Sequence, residues 1–421
     1  MSLCFRYHGR AGYMSKIIAK IDGWLTGKRL CAHGLLLLFS LWSVYGWNMA
    51  TPGLIDRAGN LKGTDFLHFY TLGSLALAHR GGDLYNMEAQ EQLAGKRVPA
   101  AAGIRYLPLY PPQVSILFSP FARLSYLCAL ILWLALSSLI YGLCCYGVWR
   151  TCSNLRNRGP TILVLALAYP AFWHLIAWGQ TSALALACFT LAFFALRAQR
   201  EFIAGLAFGC LIFKPQLGLA AALVFALAFN WKLIAGAMLS ASAELAAAWV
   251  YYGLEPLRAW IRALLRLPAI LPMLEPRPYQ SNSLRSFWTM LVPWPRLALA
   301  LYIGTALVAI ALALRCWQSR LSLSLRYSSL LLATVLVAPH LTVYDLVILA
   351  PAFVLLSDWC IEHSAEPASA LLRPLLYLGY ALPLIGPLAH WTHVQLSILA
   401  MMALLFVVSR LAERSNLASL S

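Results

Sequence analysis

Apolar residues run along this chain in long blocks, and each block ends at a charged residue, a proline or a glycine. Breaking the chain at those points gives runs over 31–49, 125–149, 160–178, 181–197, 202–213, 216–230, 232–252, 296–315, 327–338, 344–357, 373–390 and 394–410. Blocks without a polar face predict helices buried in lipid or among other helices, because a helix at a water surface shows polar residues at a 3.6-residue repeat. A crossing needs roughly 20 residues, so the shorter runs predict broken, tilted or merged crossings. The pattern predicts an all-α polytopic membrane protein with about 10–12 transmembrane helices.

Two long segments, 50–123 and 253–296, separate the runs. In the first, FLHFYTLGSLALAHR sets Phe66, Phe69, Tyr70, Leu72, Leu75, Ala76 and Leu77 at spacings that predict a short helix lying along the membrane interface. YLPLYPPQ follows, and Pro111 and Pro112 end any helix before them. Neither an internal repeat nor a low-complexity tract is apparent, so the whole chain, 1–421, reads as a single membrane-embedded domain.

Charge adds an orientation. The N-terminal thirty residues carry Arg6, Arg10, Lys16, Lys20, Lys28 and Arg29 against the single acid Asp22, which predicts a cytoplasmic basic N-terminus over 1–30. That leader is long and polar, and WNMATPG lacks small residues before a cleavage point, so 31–49 reads as a retained first helix. Alternate connections are basic: Arg150 to Arg158, Arg197 to Glu201, Arg315 to Arg326, and the tail with Arg410 and Arg414. With these inside, the two long segments, GQTS at Gly179, KPQ at Lys214 and PHLTVYD at Pro339 all fall on the outer face. Polar groups at membrane depth survive where they line a cavity or are buried in protein, so the asymmetry predicts an outward-facing polar chamber.

Composition supports the membrane reading and removes alternatives. Only 11% of the 421 residues are charged, 61% are hydrophobic, and mean hydropathy is +0.72. A soluble domain carries about 25% charged residues. The net charge of +17 is spread over many short loops, which suits topology and anionic lipid better than nucleic acid. Ten cysteines lie mostly in or beside apolar runs without a CxxC pair, the distribution of small core residues rather than of disulfides or a zinc site. HExxH, GxxxxGK[ST], GxSxG and GxGxxG are all missing, so neither a metalloprotease nor intrinsic nucleotide hydrolysis is expected.

A few polar residues in apolar surroundings carry the candidate chemistry. Asp65 after Gly63-Thr64 suits a general base at the lipid side of a chamber, and equally a cap for the helix that follows. Asp83 in RGGDLYN reads as a turn residue. Lys214 in IFKPQLG sits between two apolar runs, where an ammonium needs a phosphate or carboxylate partner, or marks a helix end by reaching toward the surface. SNSLRSFW offers Asn282, Ser283 and Arg285 for sugar hydroxyls and phosphate, and His340 in PHLTVYD can donate to a phosphate. Glu244 is the acid set deepest within a run.

The ordered motifs DFLHFY, GGDLYN, YPPQ with SPFARL, GQTSALAL, AGLAFGCLIFKPQ, NSLR and APHLTVYDLVILAP resemble glycosyltransferase family 87, the DUF2029 group, from about Asp65 to Pro351. The resemblance implies a GT-C-like, metal-independent hexosyltransferase that needs no cofactor and lies in the cell's inner (plasma) membrane. Its chamber would face the periplasm or outside. It further implies a polyprenyl-phosphate sugar donor, mannose-like, and a glycolipid or glycan acceptor, with membrane lipids as partners. On this reading Asp65 is the catalytic base, Lys214, Arg285 and His340 bind the donor phosphate, and Tyr70, Gln180 and Asn282 contact sugar or acceptor. Two other classes fit the composition: a transporter or flippase of lipid-linked saccharides, in which Glu244 or Lys214 outweighs Asp65, and a non-catalytic membrane scaffold.

Overall fold

The computed structural model describes residue 23, residues 25–267, residue 269 and residues 277–417. Within them the chain forms α1 (Gly27–Met49), α2 (Thr64–Leu77), α3 (Met87–Arg97), α4 (Gln113–Phe118), α5 (Tyr126–Arg150), α6 (Gly159–Leu167), α7 (Pro170–Trp178), α8 (Ser182–Arg197) and α9 (Glu201–Gly209). There follow α10 (Pro215–Leu227), α11 (Trp231–Tyr252), α12 (Glu255–Leu265), α13 (Leu284–Leu291), α14 (Pro295–Gln318), α15 (Leu323–Val337), α16 (Ala350–Glu362), α17 (Pro367–Ala381) and α18 (Leu396–Leu417). Every apolar run of the sequence is helical.

This is an all-α polytopic membrane protein. Among the described residues, seven helical stretches are long and apolar enough to cross a membrane: Gly27–Met49, Tyr126–Arg150, Trp231–Tyr252, Pro295–Gln318, Val343–Glu362, Pro367–Thr392 and Leu396–Ser415. An eighth is a pair, Arg156–Leu167 and Pro170–Trp178, bent by 47°. Pro170 explains the bend: it offers no N–H, and it holds Tyr169 extended at φ −64°, ψ 120°. The remaining runs form shorter apolar helices, Ser182–Arg197, Glu201–Phe213, Pro215–Leu227 and Leu323–Val337.

Packing follows from residue size. α9 and α11 meet backbone to backbone, since a Cβ on Gly205 would stand 2.2 Å from the Leu233 carbonyl oxygen and one on Gly209 2.1 Å from that of Ala237. Small residues four apart permit such contact between membrane helices, where apolar burial alone gives little drive. On the outside, α5 exposes Ile131, Leu132, Leu139 and Leu143, and α14 exposes Leu299, Ile303, Leu307 and Val308, surfaces suited to lipid chains. Of α1, only Gly34 is buried.

The first long segment folds back over the helix ends. Its helix α2 is present where the apolar spacing puts one, but Phe66 to Ala76 are all buried, so protein sheathes it on every side. In the second long segment, α12 carries exposed apolar residues beside basic ones: Ile261 and Leu265 are exposed together with Leu254 just before it, and Arg258 and Arg262 lie alongside. Its Trp260 Nε1 donates to the Leu109 carbonyl at 3.1 Å, tying the second long segment to the first. Glu244, on α11, is half-buried and accepts from Gln113 Nε2 at 3.4 Å.

Candidate active site

The polar groups gather where apolar helices are interrupted. Backbone that leaves the helix at membrane depth needs protein around it, and the same breaks free side chains to point inward. Three breaks meet here: Gly179–Thr181 between α7 and α8, Lys214 between a 3₁₀ turn and α10, and Thr342–Asp345 before α16. The start of α2 closes the group.

Gly63 precedes α2 with φ 66°, a left-handed conformation that costs glycine nothing, and a Cβ there would lie 2.4 Å from Leu130 Cδ1. The helix begins at Thr64, so Asp65 stands inside its first turn, where the helix dipole favours a negative charge. Asp65 is not a cap. Its Oδ2 instead accepts from Gln180 Nε2 at 2.7 Å, across 115 residues of sequence.

Gly179, at φ 70°, makes this contact possible: a Cβ on it would stand 2.8 Å from Phe66 Cβ, so only glycine lets the end of α7 press on the start of α2. Its carbonyl accepts from Trp133 Nε1 at 2.9 Å. The Gln180 Oε1 in turn accepts from the Thr181 N–H at 3.2 Å and from Lys214 Nζ at 3.5 Å. The amide thus turns its oxygen to the cation and its NH₂ to the Asp65 carboxylate.

Lys214, only 4% exposed, donates to Asp345 Oδ1 at 2.8 Å and Ser182 Oγ at 3.0 Å, and lies 5.2 Å from the centre of the Tyr344 ring. Ser182 Oγ donates to the same Asp345 oxygen at 2.6 Å. The other Asp345 oxygen accepts from the Thr342 N–H at 3.3 Å and hydroxyl at 3.4 Å, a capping box for the turn Val343–Leu349. Lys214 therefore has a carboxylate partner, and the deeply buried acid is Asp345 rather than Glu244.

Burial pushes the Asp65 carboxyl up to about 6, against the lowering effects of the Gln180 hydrogen bond and the Lys214 charge. The same burial lowers His68, one turn along α2, to about 3, so its ring is neutral. His68 stacks on Tyr106 at 4.8 Å and 5°, and its Nε2 has no hydrogen-bond partner. Tyr106 donates to the Thr64 carbonyl, while Tyr126 donates to those of Lys62 and Gly63 at 2.8 and 2.9 Å, fixing the turn that carries Asp65. Burial first, and the Asp65 charge second, raise the Tyr106 phenol.

The other sequence candidates fall into two sets. Ser281 pairs with Thr342 in an antiparallel bridge, and the Asn282 N–H donates to the Leu341 carbonyl at 2.7 Å. Arg285 Nη1 reaches the Pro339 carbonyl at 3.5 Å, so Arg285 and the Pro339–His340 turn stand side by side, next to the segment that leads to Asp345. Asn282 is fully buried and its Oδ1 accepts from Ser397 Oγ at 2.7 Å, while the Tyr70 hydroxyl donates to the Leu124 carbonyl at 2.8 Å and accepts from Arg97. Both side chains hold backbone or neighbouring helices together. Asp83 accepts from Arg80 Nε at 2.6 Å on an exposed turn. Among the described residues, no three His, Cys, Asp or Glu side chains converge as a metal site.

Sequence reading passed over Asp345, Ser182 and Tyr106. Asp345 carried a usable signal: a threonine three residues before an acid at the head of an apolar run marks a cap, and a buried Lys214 requires an acid somewhere.

The molecule is thus an all-helical polytopic membrane protein with a polar network of Asp65, Gln180, Lys214 and Asp345 at its helix breaks. The chain belongs to glycosyltransferase family 87, whose model matches residues 109–339, more than half of its length, and it is a membrane glycosyltransferase. Gln180, Lys214, Asn282 and Arg285 lie within the matched stretch; Asp65 and Asp345 flank it. Comparison with curated proteins and with solved structures gives no match.

Proposed function

We propose that this glycosyltransferase is an inverting hexosyltransferase in which Asp65 is the general base, a polyprenyl-phosphate sugar is the donor and a glycolipid or glycan is the acceptor. The observation that carries the proposal is the state of Asp65: a partly buried carboxylate held by one side-chain hydrogen bond, with burial raising it toward the pH at which a base exchanges protons readily. The acceptor O–H bond breaks as its proton passes to Asp65. The freed oxygen bonds to the anomeric carbon from the face opposite the phosphate, and the carbon–oxygen bond to the phosphate breaks with its electron pair going to the lipid phosphate.

That phosphate leaves charged, so cations beside it lower the barrier. Arg285 and His340 suit this role because their segments adjoin. Lys214 acts on the same charge through the site's field, since its ammonium is already bonded to Asp345. Gln180 holds Asp65 and borders the sugar or acceptor.

Orientation supports an outer-face site. Tyr126 and Ser182, beside the site, begin α5 and α8, whose far ends carry the basic Arg150 and Arg197. With basic loops in the cytoplasm, Asp65 faces the periplasm of an inner-membrane protein that forms one catalytic unit. The test is to incubate the purified protein with several polyprenyl-phosphate sugars. One sugar should be consumed, and Asp65→Asn should lose that activity while staying folded; unchanged turnover in Asp65→Asn removes Asp65 from the mechanism.

A further inference from the structure

A cavity lies well away from Asp65. A space of about 500 Å³ lies among α1, α5, α6, α16 and α17, at the end of the bundle that carries the basic loop Arg150–Arg158. Trp133, beside Gly179, and Cys145, in the cavity wall, are twelve residues apart on α5, which places them about 18 Å apart along the helix axis. The volume falls in the range of about 300–1,000 Å³ found for ligand sites.

Its lining changes along its length. The interior is aromatic and aliphatic: Tyr141, Tyr169 and Tyr380 line it with hydroxyls donated to the carbonyls of Ala166, Leu346 and Leu165 at 2.8 Å each, which leaves the rings to face the space. The mouth is cationic. Arg158 lines it, is exposed, and has no acidic partner among the described residues. Arg373 also lines the space and donates to the Cys360 carbonyl at 3.0 Å. The first turns of α1 and α6 contribute Gly27 and Thr161, adding the partial positive charge of two helix N-termini. Among the described residues no Asp or Glu lines the space; the nearby Asp358 accepts from the N–H groups of Asn154 and Leu155 at 2.9 and 3.1 Å.

A cationic mouth over an apolar slot fits an amphiphile with an anionic head and a hydrocarbon chain. We infer that this cavity is a binding site for an anionic phospholipid of the bilayer leaflet at the basic end, its phosphate at Arg158 and one acyl chain along the tyrosine-lined interior. The basic residues Arg150 and Arg156 in the same loop favour an anionic leaflet there. This site is separate from Asp65 and does not depend on the transfer reaction.

The test is native mass spectrometry of the detergent-purified protein with phosphatidylglycerol, phosphatidylcholine or farnesyl phosphate added singly and in competition. Phosphatidylglycerol should be retained at least tenfold more tightly than phosphatidylcholine, and Arg158→Gln should erase that preference. Ser357→Trp, which fills the slot without touching the charge, should also expel the lipid. Asp65→Asn should retain phosphatidylglycerol as the wild type does, which separates this site from the catalytic proposal. Equal retention of the two phospholipids, displacement by equimolar farnesyl phosphate, or wild-type retention in both Arg158→Gln and Ser357→Trp overturns the inference.

Discussion

Two carboxylates, Asp65 and Asp345, flank the Gln180–Lys214 pair and differ in what surrounds them. Asp345 is saturated: an ammonium and a hydroxyl hold one oxygen, and the N–H and hydroxyl of Thr342 hold the other. Asp65 receives one side-chain hydrogen bond and stays partly accessible. A carboxylate whose oxygens are all committed anchors a fold, whereas one with spare acceptor capacity can take a proton. On the proposed mechanism the difference gives Asp345 the structural role and Asp65 the chemistry, although both share one network.

Substitutions can break this comparison, and the largest effect belongs to Asp65. Asn keeps the shape and removes the base, so turnover should fall by about 10²–10⁴-fold, while the unfolding temperature in detergent at neutral pH stays the same or rises, since a charge that burial disfavours is gone. Asp345→Ala should do the reverse in kind, destabilising the protein by about 3–5 kcal/mol because Lys214 is left buried and unpaired. Thermal unfolding measures this, and adding Lys214→Met should recover part of the loss. Gly179→Ala should cost about 1–3 kcal/mol in the same assay, from positive φ together with the contact at Phe66.

Gln180→Leu tests the link between the two acids. Its hydrogen bond lowers Asp65, so losing it should move the acidic limb of the pH–rate profile upward. The sign for stability is opposite to that of an ordinary ion-paired acid. Folding raises Asp65 from 3.8 to about 6, so its contribution is fully present below the unfolded value and is lost as pH rises through about 6. The smallest effect belongs to Asp83→Ala, an exposed ion pair worth under about 1 kcal/mol, with no change in turnover.

Much of the fold was legible because lipid exposure writes itself into composition: every apolar run became a helix, and the runs too short to cross are the ones whose breaks build the site. Gln180 and Lys214 were visible as polar residues at those breaks. Asp345 showed a local cap pattern, but its pairing with Lys214 did not show, since the two lie 131 residues apart and no local pattern reports so distant a pair. The environment of α2 was hidden for another reason. His68, Thr71 and Ser74 form a polar stripe that suggests an exposed face, yet Thr71 and Ser74 satisfy themselves on the carbonyls of Leu67 and Tyr70, at 2.8 and 2.9 Å, and are buried. A polar stripe that bonds its own helix looks, in sequence, like one that meets water.

The account rests on Asp65 acting as a base, and the pH dependence of sugar transfer in the wild type and in Asp65→Asn tests that most directly. The wild-type rate should rise about tenfold per pH unit below about 6 and level off above it, while the residual rate of Asp65→Asn stays flat across the same range. The same limb at wild-type rate in Asp65→Asn would contradict the assignment.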